Sequence, residues 1–363
     1  AEGWRVPVRT ISELAWHSLS ARTLYWPRDD GAASDFTIIH VPGFQAVPEI
    51  DETGSSAFAV MNPDRKLFLI GGTAYGGELR LAGSMIARCR EAEEMPLRCA
   101  VSIGDEGDVA AFLGRTGNGK TALALACSAT DRSFMGDHEH FWASDGLVPL
   151  ERGCYARALG LDADSNPALW FATRRFGAVL ENVTLDHEKR RMDFADARLT
   201  ENTRVLFPGS HLPKWAGKPS CGHPKNIFLL TRDTLGVLPP IARLTPDQAV
   251  FAFLTSHAAS LEETETRPGA VQPILDGEGL RSGAGGLGPE EYARSFLEKV
   301  VAHDVRCWFV NTGWSGEPEG RGERIPIATT RTLIKEAMSG ALDVISYETD
   351  PMFLFDVPVE CPG

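Results

Sequence analysis

Gly114, Gly119, Lys120 and Thr121 stand in the spacing Gly-x-x-x-x-Gly-Lys-Thr, within Gly114-Arg115-Thr116-Gly117-Asn118-Gly119-Lys120-Thr121. Glycines at this spacing let consecutive backbone N–H groups turn inward around phosphate oxygens, which makes Gly114, Thr116, Gly117, Asn118 and Gly119 the candidate cradle. Lys120 supplies a compact cation for β- and γ-phosphates, and the Thr121 hydroxyl can bind Mg²⁺. Such an ion also wants a carboxylate, and Asp137 offers one at the end of the apolar segment Phe134-Met135-Gly136. His138, Glu139 and His140 follow it directly. Glu139 and His140 read as solvent-facing or capping groups, and Asp137 as the metal acid.

The flanking elements suit this chemistry. Val109 to Leu113 is an apolar run with the look of a buried strand, and the helix-forming ALALACSA follows the glycine loop. Elsewhere, residues 10–25 show helix-like apolar spacing. Phe36–Val41, Ala57–Met61 and Leu67–Ile70 read as strands, the last running into the glycine-rich turn GGTAYGGE (71–78). Further on come strand-like Ile227–Leu230, helical Pro246–Ser256, a loose glycine-rich stretch at 277–289, helical Glu290–Ala302 and strand-like Arg306–Val310. Helices and strands alternate in this way in a mixed α/β sheet.

At 363 residues the chain is long enough for two lobes or one large α/β unit. With 36 Lys and Arg against 49 Asp and Glu, the net charge of −13 argues against broad contact with nucleic acid or an anionic membrane, so phosphate must be held by a local basic pocket. No apolar run approaches the roughly twenty residues of a membrane helix, and AEGWRVPVRT lacks the apolar core of a secretion signal. The expectation is a cytoplasmic protein, with monomer and dimer both open. The seven cysteines form no CxxC pair, and Cys221-Gly222-His223 alone cannot fill a tetrahedral zinc site, so reduced and mostly buried thiols are expected.

These residues, taken with the stretches around them, resemble the ATP-dependent phosphoenolpyruvate carboxykinase family. The pieces that carry the resemblance are LIGGTAYGGE (69–78), GDVAAFLGRTGNGKT (107–121), MGDHEHFW (135–142), GCYARALGLD (153–162), GAVLENV (177–183), LTENTRV (199–205), PKNIFLLTRDTLGVLPPIARLTPDQA (224–249), NTGWSG (311–316) and GERIPIATTR (322–331). The resemblance implies the α/β carboxykinase-like fold with a P-loop and mixed sheets. It divides the chain into a shortened substrate-side lobe (1–95) and a nucleotide lobe (96–363) with a mobile lid near 277–289. It also implies ATP and Mg²⁺ as cofactors, adenine near Arg324, Ile325 and Thr330, and phosphate or substrate contacts from Arg204 and from Arg157, which stands at a family lysine position.

The acceptor side departs from the family. A second ion, usually Mn²⁺, is held there by a lysine after the YGGE turn, a histidine before the P-loop and the second aspartate of GDDEH. Leu81, Arg98 and His138 occupy those positions, and neither an alkyl chain nor a guanidinium ligates a cation, so that site is expected to be lost. The family's arginine for the oxaloacetate carboxylate lies in a region outside this chain. The reading drawn from these departures is an ATP-dependent kinase acting on the hydroxyl of a small polar metabolite. Arg98, assisted by Arg80, would replace the ion as a fixed charge, and His138 or Asp137 would accept the hydroxyl proton. The alternatives are a surviving carboxykinase and a nucleotide-binding pseudoenzyme.

Overall fold

The computed structural model describes residues 6–28, 31, 33–90, 94–115, 117–128, 131–164, 166–186, 188, 190–255, 273–275 and 289–361. The chain condenses into two compact units, each discontinuous in sequence: one from 1–94, 149–219 and 265–286, the other from 95–148, 220–264 and 287–363. The segment 149–219, which the resemblance placed with the nucleotide lobe, thus packs with the first 94 residues. The stretch 277–289, apart from its last residue, lies outside the described residues.

In the first unit a five-stranded sheet has the order Val8–Ser12, Phe36–Val41, Leu67–Gly71, Phe58–Asn62, Pro273–Leu275. Phe36–Val41 alternates strictly between buried and half-buried residues, as a strand with one core face must. The helix Ala15–Leu24 buries His17, Ser20, Ala21 and Leu24, spaced as one helical face. Residues 10–12, read from their spacing as part of this helix, instead belong to the strand Val8–Ser12, which pairs in parallel with Phe36–Val41. Sheet pairing there overrides a short-range pattern that fits either state. The core is built from Leu24, Ile38, Phe68, Ile70, Leu79 and Ile86, and the helix Gly77–Arg90 supplies the last two. A second, three-stranded antiparallel sheet of Gly153–Arg157, Arg204–Pro208 and Val179–Glu181 belongs to the same unit.

The second unit is organised by a ten-stranded mixed sheet. At its centre Val109–Gly114, Pro224–Thr231 and Arg306–Asn311 run parallel, with antiparallel Met95–Gly104 on one side and Ile241–Leu244 on the other. The central strands are buried almost without interruption, and the helices Lys120–Cys127, Pro246–Phe253 and Pro289–Ala302 pack against strands of this sheet. The helices have legible boundaries. Pro246–Phe253 starts at a Thr245/Gln248 capping box, and Ile327–Ser339 stops at Gly340 in the left-handed region. Among the described residues no helix is long and apolar enough to cross a membrane.

The register of the central strands sets Phe112 beside Phe228, both fully buried, with ring centroids 5.1 Å apart. Phe228→Ala should therefore destabilise the protein by about 3–5 kcal/mol, measured as a lower urea midpoint with an unchanged slope.

Candidate active site

The strand Val109–Gly114 delivers the chain to the glycine loop, and its neighbour Pro224–Thr231 shapes that loop. At Gly114, with φ of +142°, an added Cβ would come within 2.4 Å of the Leu230 carbonyl oxygen, so both the conformation and the space demand glycine. Asn118 donates from Nδ2 to the same carbonyl at 2.9 Å. Gly117 and Gly119 also have positive φ, and Gly119 leads into the helix Lys120–Cys127 without a side-chain cap. The helix therefore starts with backbone N–H groups that no capping side chain satisfies, which is what an anion-binding turn requires. Thr116 lies outside the described residues.

Lys120 reaches back across the loop and donates to the carbonyls of Gly114 (2.5 Å) and Arg115 (3.0 Å). Burial pushes its pKa down to about 8, the Arg98 guanidinium pushes in the same direction, and Asp137 opposes both. Arg98 is thus within electrostatic reach of the P-loop amine. It sits on Met95–Gly104, opposite Glu139 in the antiparallel register. The adjacent Cys99 N–H donates to the His138 carbonyl at 2.7 Å, and His138 itself adopts φ of +90°, a conformation costly for a residue with a Cβ.

Thr121 donates from Oγ1 to Asp137 Oδ2 at 2.7 Å. These are two hard oxygens side by side at the start of the P-loop helix. They fit Mg²⁺, which takes few protein ligands and completes its octahedron with water and phosphate oxygens. Among the described residues no group of three His, Cys, Asp or Glu is placed to hold a metal ion. Glu139 and His140, expected at the surface, are buried instead, because Glu139–Ala143 is an interior strand. Burial lowers the His140 pKa to about 4, and its Nδ1 lies 3.5 Å from the Cys99 thiol, so it is a neutral packing residue.

The predicted adenine segment belongs to this unit as well. Arg324 donates from Nε to the Thr312 carbonyl at 3.0 Å and lies over the Trp314 ring, and Ile325 N–H bonds the Gly313 carbonyl. Thr330 is buried in the first turn of Ile327–Ser339. Sequence reasoning missed Trp314, which Arg232 also approaches, at 5.1 Å from the ring centroid. It missed Asp233 too, whose carboxylate accepts three backbone N–H bonds, from Leu235, Val237 and Leu238. The NTGWSG and RDTLGV motifs contained both residues without marking what they touch. Cys221-Gly222-His223 is a loop: His223 accepts the Trp142 indole N–H and stacks on His303. All seven cysteines are free thiols, with Cys99, Cys154 and Cys307 buried.

The remaining site residues lie in the first unit. Strand register sets Arg157 directly opposite Arg204, and Arg204 opposite Glu181. Two cations facing each other across a ladder repel, an arrangement suited to an anion between them. Arg204 donates to Asn202 Oδ1 at 2.8 Å and approaches the Tyr155 ring, while half-exposed Arg157 pairs with Glu201 at 4.0 Å. Arg80 is buried against Glu151 at 2.8 Å and also reaches the Tyr155 carbonyl. It is committed to that ion pair, which corrects its expected role as a free charge for phosphate. Leu81 packs against the hydrophobic core, as an alkyl side chain must, and offers no ligand to a metal. Glu181 accepts the Tyr155 hydroxyl at 2.5 Å and the Gly76 N–H at 2.7 Å, and burial raises its pKa. It borders a cavity of about 580 Å³ together with Trp16, Tyr75 and Asn182.

The phosphoenolpyruvate carboxykinase family model matches residues 1–363. The chain is 40% identical to the "Phosphoenolpyruvate carboxykinase (ATP)" of Geotalea uraniireducens over 369 residues, covering 99% of this chain and 68% of that protein. It is 42% identical over 367 residues to the protein of the same description from Pelobacter propionicus, with the same coverage. For that of Thermus thermophilus the identity is 40% over 373 residues, covering 99% of this chain and 69% of the relative.

The proximity of Arg98 to Lys120 is measurable. At pH 9 Lys120, with a pKa of about 8, is largely neutral, and a bound triphosphate restores its charge, so ATP binding takes up a proton. Calorimetry in two buffers of different ionisation enthalpy should show this uptake. Arg98→Met should shrink it, because Lys120 then starts closer to its ordinary pKa; equal uptake in both proteins would show that Arg98 does not act on Lys120.

Proposed function

The chain belongs to the phosphoenolpyruvate carboxykinase family, and on that footing we propose that it is an ATP-dependent carboxykinase converting oxaloacetate and ATP to phosphoenolpyruvate, CO₂ and ADP. The observation that carries the reading is the agreement, along 99% of the chain, with relatives named for that reaction. The donor geometry supports it. Backbone N–H groups of the glycine loop and the Lys120 amine bind the phosphates, and Thr121 and Asp137 hold the ion. When bound there, Mg²⁺ neutralises charge on the β- and γ-phosphates. Arg157 and Arg204 keep the phosphate- or substrate-contacting role that the resemblance gives them, and Arg324, Ile325 and Thr330 keep the adenine role. In the reaction the C–C bond to the departing CO₂ breaks, its electron pair forms an enolate, and the enolate oxygen takes the γ-phosphoryl group as ADP leaves. The free thiols suit a reducing compartment such as the cytoplasm.

A second reading, transfer to the hydroxyl of a small polar metabolite, is favoured by one feature: Leu81, Arg98 and His138 stand at the three positions where the family holds its second ion. An ion on the enolate oxygen supplies several kcal/mol, and losing about 4 kcal/mol slows a reaction roughly a thousandfold. Phosphoryl transfer to a ready-made hydroxyl asks for less: positioned phosphates, the fixed charge of Arg98 and a base at His138 or Asp137. The relatives' name ranks this reading behind the carboxykinase.

Phosphorus NMR of the protein with ATP, Mg²⁺ and oxaloacetate separates the two. Phosphoenolpyruvate appearing together with ADP is the expected result. A new phosphomonoester formed only from a hydroxylated metabolite would select the kinase, and nucleotide binding without turnover would leave a pseudoenzyme. In either enzyme Lys120→Ala should lower kcat by on the order of 10²–10³ or more. Arg98→Ala should reduce kcat more than it weakens ATP binding, and equal effects would remove its assigned role.

A further inference from the structure

His17 and His40 stack in the first unit, with ring centroids 3.9 Å apart and planes 27° from parallel. Both reach one turn. His17 Nε2 lies 2.9 Å from the Ala74 carbonyl oxygen and His40 Nε2 lies 2.9 Å from that of Thr73. A carbonyl oxygen only accepts, so each ring must carry a proton on Nε2. Both rings are fully buried, and neither Nδ1 has a hydrogen-bond partner among the described residues. A second proton on either ring would need an acceptor that the described residues do not supply, and two protonated rings would face each other as cations in a buried site.

The turn held in this way is GGTAYGGE. Its Tyr75 N–H donates to Thr73 Oγ1 at 3.1 Å, and its Gly76 N–H donates to Glu181, the carboxyl that also receives Tyr155. Tyr75, Glu181 and Trp16, which lies against the His17 ring, all line the cavity of about 580 Å³. We propose that His17 and His40 are paired positioning residues: as neutral imidazoles they hold the Thr73 and Ala74 carbonyls and so fix Tyr75 and the Gly76 N–H in the cavity wall. The link between this clamp and an acceptor bound in the cavity rests on the carboxykinase reading; the clamp itself does not.

The clamp opens in acid. Burial holds both histidines below their ordinary value, His40 at about 4, although the carbonyl bonds and Glu13 act in the opposite direction. The Glu13 carboxylate accepts the Gly43 N–H at 2.8 Å. Of the other charged groups on the elements around the pair, Arg9 and Arg22 are exposed; on Gly77–Arg90, Glu78 is buried in the first turn, Arg80 is paired with Glu151 and Arg88 is half-buried near the far end; Leu67–Gly71 carries none. A base whose pKa is lowered on folding contributes stability above its unfolded value and loses it as pH falls, here between about 6.5 and 4.

Hydrogen exchange of the Tyr75 and Gly76 amides, corrected for intrinsic rates, tests this in the wild-type protein. Protection should drop on the order of tenfold or more between pH 7.5 and 4.5. His40→Gln keeps a neutral N–H donor and should flatten the profile, whereas His40→Ala should lose protection at every pH. A flat wild-type profile, or the same acid loss in His40→Gln, overturns the clamp. Where oxaloacetate is turned over, its KM should rise below pH 6 in the wild type and not in His40→Gln, with kcat alike in both. An absence of turnover at any pH would remove the carboxykinase reading, while the exchange result would still decide the clamp.

Discussion

The Leu230 carbonyl is the fixed point of the glycine loop. It accepts the Asn118 side chain and lies where any side chain at Gly114 would have to go, although Asn118 and Leu230 are 112 positions apart. A glycine loop by itself is conformationally permissive, and its freedom costs entropy on binding. Held against a buried parallel strand, the same loop presents its N–H groups in one arrangement, returns Lys120 over its own carbonyls and places Thr121 beside Asp137. The ordering cost is met during folding, so that a phosphate meets a prepared cradle.

Charge is distributed around that cradle in an unusual way for an acidic chain. A half-buried lysine with a guanidinium nearby is a strained arrangement, and the depressed Lys120 pKa expresses it. In the proposed carboxykinase a polyanion would relieve that repulsion, turning it into affinity for phosphate. The other unit repeats the device on a strand ladder, where Arg157 faces Arg204. The Arg80–Glu151 pair is the contrast: buried and mutually neutralised, it supports structure and has no charge to offer.

Buried histidines divide by environment. His140 packs neutral beside Cys99, and His17 and His40 donate to the Ala74 and Thr73 carbonyls. The same side chain is inert filler in one place and a positioning group in the other, and the difference lies in what the ring nitrogens reach.

Much of the chemistry was legible in the residues alone. The spacing of Gly114, Gly119, Lys120 and Thr121 between an apolar run and a helix former determines a strand, a glycine turn and a helix, the unit proposed to hold phosphate, because strand, turn and helix propensities are local. The apolar run at 109–113 and the alternation at 36–41 likewise determine strands. Residues 10–12 were misread because a three-residue pattern cannot choose between periods until a partner strand is present. Burial of Glu139 and His140, the facing of Arg157 and Arg204, the commitment of Arg80 to Glu151 and the stacking of His17 on His40 are invisible in sequence order. Each is a relation between residues far apart in the chain, and only the sheet register and the packing of the tertiary structure bring those residues to one place.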